Sequence, residues 1–95
     1  MKKPTNKDRK EIRRLILEKL VLGRHWGMSY LALEDIPKGL PRRVYQEGWY
    51  YKEVKSLVKD RLLLTYKKKK FYRLNIEMKQ KIEELIGRKV PPKYD

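Results

Sequence analysis

Residues 49–75, WYYKEVKSLVKDRLLLTYKKKKFYRLN, decide the fold. Tyr50, Val54, Leu57, Val58 and Arg61 recur at i, i+4, i+7 and i+8, which predicts an amphipathic helix over about 49–61. Residues 62–66 and 71–74 are β-compatible and flank Lys67-Lys68-Lys69-Lys70, so the segment continues as a strand, a turn of four lysines and a returning strand. Hairpin turns favour Asn-Gly or Asp-Gly, which reach positive φ cheaply. Four adjacent like charges repel one another, so such a turn is not selected for stability. A single lysine would guard a sheet edge; four point to a negatively charged partner.

Working outward, Asn75 is a suitable N-cap for a last helix, with Met78, Ile82, Leu85 and Ile86 as its apolar stripe and Gly87 as its end. On the other side, Thr5 with Asp8 three residues later opens a first helix with a variant of the capping box. Ile12, Leu15, Ile16, Leu20 and Val21 supply its buried face, and Gly23 is the expected left-handed stop. Between these helices, residues 28–33 read equally as a short strand or a helix start. Residues 33–36 read as a helical turn stopped by Pro37, and residues 42–47 as another, with Pro41 at its first position. Residues 1–4 are expected to fray, residues 5–87 to form one domain, and residues 88–95 to form an extended basic tail.

Ninety-five residues allow one core, and the 40% hydrophobic content suits a globular chain. The net charge is +14, and residues 38–73 hold twelve Lys and Arg against three acids, so most of that charge is concentrated here. Such a surface attracts phosphate, of nucleic acid before anionic membrane. With no cysteine and one histidine, thiolate and histidine-cluster metal sites are excluded. Glu34 and Asp35 are adjacent and do not face each other on a helix. There is no Gly-rich phosphate loop, and His25 beside Trp26 lacks catalytic partners. The reading is therefore a non-enzyme without cofactor. Few Asn and Gln, with abundant Lys, Glu and Arg, match a hyperthermophile composition. No apolar leader follows Met1-Lys2-Lys3 and the apolar runs are short, so a cytoplasmic protein without membrane attachment is expected.

The order helix, LEDIPKGLP, aromatic-basic helix, lysine hairpin and Asn-capped last helix resembles the winged helix-turn-helix, and small archaeal winged-helix proteins in particular. The resemblance spans residues 5–87. It implies an α+β fold with a three-helix core, a two-stranded β-hairpin wing and a C-terminal helix. It also implies double-stranded DNA as partner, residues 49–61 as recognition helix, Lys67, Lys68, Lys69 and Lys70 as wing tip, and a role in transcription regulation or chromatin. The link between the second and third helices is longer and richer in proline than the usual turn.

On this reading the outer face of residues 49–61 carries Trp49, Lys52, Lys55, Ser56 and Lys59, with Arg42, Arg43 and Gln46 just before it and Arg73 beside the wing. Lysines neutralise phosphates and meet guanine acceptors; the stripe itself lacks the Arg and Asn that most often read bases bidentately. Tyr45, Trp49, Tyr50 and Tyr51 either stack on unpaired bases or fill the gap between helices. That leaves single-stranded DNA, RNA or a protein partner in a transcription or replication assembly as the alternative, and homodimerisation open.

Overall fold

The computed structural model describes residues 5–26, 29–42, 44 and 48–89. The architecture is α+β: among these residues, three α-helices and a three-stranded antiparallel sheet. Helix α1 is Asn6–Leu22, strand β1 Leu31–Ala32, helix α2 Trp49–Lys59, strand β2 Leu63–Tyr66, strand β3 Phe71–Leu74 and helix α3 Lys79–Ile86. Short 3-10 turns, Leu33–Asp35 and Ile76–Met78, follow β1 and precede α3.

Helix α1 starts where its cap is encoded. The Asp8 N–H donates to Thr5 Oγ1 at 3.1 Å and the Thr5 N–H donates to Asp8 Oδ2 at 3.0 Å, closing the capping box. Ile12, Ile16, Leu17, Leu20 and Val21 are buried, and α1 packs against α2, α3 and β3. Each such side chain contributes about 1.5–3 kcal/mol by leaving water.

Both long helices end in a way the sequence reading does not anticipate. Gly23 has φ −81°, an ordinary helical value; Arg24, at φ 56°, is the left-handed residue. The Arg24 N–H bonds the Val21 carbonyl and the His25 N–H reaches back to Leu20, a Schellman closure. A Cβ at Gly23 would lie 2.5 Å from His25 Nε2, so a larger residue there would have to push the imidazole aside. The same closure ends α2 at Lys59, two residues before the expected limit. Arg61 is left-handed at φ 64°, its N–H bonds the Val58 carbonyl, and the Leu62 N–H bonds that of Leu57. Arg61 is therefore an exposed cap residue, not part of the buried face, while the next residue, Leu62, drops into the core. At α3 the left-handed stop falls on Gly87, φ 75°, as expected, and the Asn75 side chain caps the preceding turn through the Glu77 N–H.

The hairpin does not stand as two strands. The sheet order is β1-β3-β2, with Leu31 opposite Tyr72 and Ala32 opposite Phe71, and with Leu63 opposite Leu74 through Tyr66 opposite Phe71. The open choice at residues 28–33 resolves as a strand at 31–32 followed by the 3-10 turn that stops before Pro37. Strand β1 is a tertiary product: two residues without a pattern of their own, paired to the backbone of β3. One sheet face, with Leu63, Tyr72 and Leu74, closes the core against the helices. The other carries Leu64, Tyr66, Phe71 and Arg73. Of the three hairpin aromatics only Tyr72 is buried in the core; Phe71 is half-buried and Tyr66 is exposed. Arg42 and Val44 adopt helical backbone after Pro41, with Val44 buried; the remainder of the expected turn at 42–47 lies outside the described residues. Among the described residues no helix is long and apolar enough to cross a membrane.

Candidate nucleic-acid interface

Helix α2 divides by face. Trp49, Glu53, Val54 and Leu57 are buried, with Tyr50 and Val58 packed against the same core. Lys52, Lys55 and Lys59 are fully on the solvent side, together with Tyr51, and Ser56 is half-buried. Trp49 corrects the sequence reading. It is 7% exposed and belongs to the core, so it is not available to a nucleic acid. The expected stripe of Tyr50, Val54, Leu57 and Val58 does face the core, but the buried face is wider and also takes in Trp49 and Glu53, a glutamate that periodicity assigns to water.

That glutamate shapes the electrostatics of the helix. Glu53 is the only acid in α2 and is 1% exposed. Its Oε2 accepts from Arg9 Nε at 3.0 Å and its Oε1 faces Arg13 Nε at 3.6 Å, both from α1. The pair holds α2 against α1 and removes the one negative charge that would otherwise dilute the outer face. What α2 presents to solvent is a lysine row at i, i+3 and i+7, with Lys55 Nζ 4.7 Å from the Tyr51 ring centre.

The lysine turn is strained. Lys67, Lys68 and Lys69 have φ of 51°, 53° and 66°, three consecutive left-handed residues, each costing about 1–2 kcal/mol when it is not glycine. All four lysines are exposed. The Lys70 N–H closes the turn on the Tyr66 and Lys67 carbonyls, both at 3.2 Å.

Tyr50 of α2 and Lys70 of the turn border one open cleft of about 500 Å³, with Ala32, Leu33, Glu34 and Phe71. The start of α2 and the hairpin therefore meet on one side of the molecule. Arg42 is exposed ahead of α2, and Arg73 is half-buried with its guanidinium 5.8 Å from the Tyr30 ring. Arg43, Gln46 and Tyr45 lie outside the described residues. Two features have no counterpart in the sequence reading: the buried Glu53 and the ring pair Tyr30–Tyr66, 4.9 Å between centres. Only pairing of β1 with β3 reveals the second, because the two residues are 36 positions apart.

The single histidine is partly buried at the end of α1, with Nδ1 3.2 Å from Ser29 Oγ; burial holds its pKa below the ordinary 6.5. Among the described residues no cluster of His, Cys, Asp or Glu could hold a metal ion. No family model, curated protein or solved structure matches this chain.

Proposed function

We propose that this chain is a winged-helix-type protein that binds double-stranded DNA, with α2 in the major groove and the lysine turn on the flanking backbone. The observation that carries the reading is the one-sided charge of α2: its lysines are all exposed, and its single acid is buried and neutralised from behind. An α-helix with its side chains is about 10–12 Å across, which fits a major groove about 12 Å wide. The element order and the strand order β1-β3-β2 are compatible with a winged-helix layout. Lys52, Lys55 and Lys59 line the groove and neutralise the phosphates that border it, and Lys67 to Lys70 hold the flanking phosphates, so backbone attraction outweighs base reading. A role in regulating transcription or organising chromatin follows from that mode of binding. Fluorescence anisotropy on a labelled duplex tests it. Lys52→Ala, Lys55→Ala and Lys59→Ala combined should weaken binding strongly without changing the melting temperature. Unaltered affinity would remove α2 from the interface.

A further inference from the structure

The outer face of the sheet points away from the core and adjoins the lysine turn. Strand register puts Ala32, Phe71 and Tyr66 in one row of that face and Leu64 with Arg73 in the next. Tyr30, two residues before Ala32, reaches diagonally across β3 to Tyr66, with the rings 4.9 Å apart and tilted by 31°. Tyr66 is 49% exposed. Cations surround the rings: Arg73 lies 5.8 Å from Tyr30, and Lys67 Nζ lies 5.8 Å from Tyr66 and 6.0 Å from Phe71. The strands themselves contain no acid.

We propose that this face is a second nucleic-acid site, a stacking platform for unpaired bases of single-stranded DNA. Tyr30 and Tyr66 supply the π surface, and Arg73 and Lys67 the phosphate contacts. A duplex hides its base faces inside its own stack, whereas a single strand offers them to aromatic side chains beside a positive track. The platform continues through Phe71 and Ala32 into the cleft of about 500 Å³. That volume is in the range of small-molecule sites. There Tyr50 and Phe71 offer apolar walls, Lys70 a cation, and Glu34 an acceptor for exocyclic amines. Of the aromatic residues at the start of α2, Trp49 is buried and offers no ring face to a base. The proposal rests on the duplex reading in sharing the lysine turn and in taking DNA as the strand.

The test compares binding of a labelled oligodeoxythymidylate, an oligouridylate and a blunt duplex to the full chain and to Tyr30→Leu, Tyr66→Leu and Tyr66→Phe. Each leucine variant should bind the thymidylate roughly tenfold more weakly, with duplex affinity unchanged and Tyr66→Phe close to wild type. Thymidylate affinity that survives both leucine changes overturns the platform, as does a parallel loss on duplex. Binding of the uridylate but not the thymidylate overturns the assignment to DNA. Photocrosslinking of an iodouracil-substituted DNA strand to the wild-type chain needs no variant to fold: adducts at Tyr30 or Tyr66 support the site, and adducts confined to α2 overturn it. The triple lysine change in α2 separates the two readings, because it should reduce duplex binding and spare the thymidylate.

Discussion

The Arg9–Glu53–Arg13 cluster makes an asymmetric prediction. Removing both cations by Arg9→Ala and Arg13→Ala strands a carboxylate that is 1% exposed. An unpaired buried charge of this kind costs about 3–5 kcal/mol. The arginine side chains are 47% and 35% exposed, so solvent already screens part of the attraction, and the lower end, about 3 kcal/mol, applies. For a domain of this size that lowers the melting temperature by roughly 12–24 °C. Removing the carboxylate as well, by adding Glu53→Met, leaves nothing stranded: the triple variant should regain most of the loss, and Glu53→Met alone should cost no more than about 1 kcal/mol. The arginines have solvent to turn into; the glutamate does not. Urea unfolding by linear extrapolation, with a constant slope as the sign that the denatured state is unchanged, measures all four proteins. If the triple variant is no more stable than the double, the cost does not come from a stranded charge and the reasoning fails.

Three further outcomes are expected. Lys68→Gly relieves one left-handed lysine and should stabilise the fold by about 1 kcal/mol while lowering the salt slope of duplex binding by about 0.9, so denaturation and binding should move in opposite directions. Trp49→Ala should cost about 3–5 kcal/mol as a core truncation, whereas Trp49→Phe should leave the duplex affinity of the folded protein unchanged; a direct loss of affinity would return Trp49 to the interface. His25 has a folded pKa below its unfolded 6.5, so its contribution to stability is present above pH 6.5 and is lost as pH falls through the folded value; His25→Gln should remove that part of the acid sensitivity in urea titrations between pH 7 and 5.

The elements that are legible from sequence carry their signals locally. Thr5 with Asp8, Asn75 and Gly87 mark helix ends within a few residues, and four lysines between two β-compatible runs mark the hairpin. What was not legible depends on contacts across the chain. Strand β1 exists because β3 offers a free edge. Arg24 and Arg61 take left-handed positions where glycine is the usual signal, because the Schellman hydrogen bonds and the burial of Leu62 outweigh the local cost. At the candidate site, Lys52, Lys55 and Lys59 are exposed where the reading put them, and Lys67 to Lys70 form the expected turn. Trp49 is inverted because the buried stripe of α2 includes Glu53, and a glutamate enters a core only when arginines from another helix meet it. Periodicity has no means of knowing that.

The salt dependence of duplex binding tests the central claim most directly, because it counts phosphate contacts without assuming a target sequence. The affinity of the wild-type chain should fall steeply as salt rises. Changing Lys52, Lys55 and Lys59 to Ala, or Lys67, Lys68 and Lys69 to Ala, should each flatten the log–log slope by about 2.7, at 0.9 per contact over three lysines, and the two reductions should add. A shallow wild-type slope, or one that neither set of changes alters, would contradict the account: α2 and the lysine turn would not then form one DNA-binding surface.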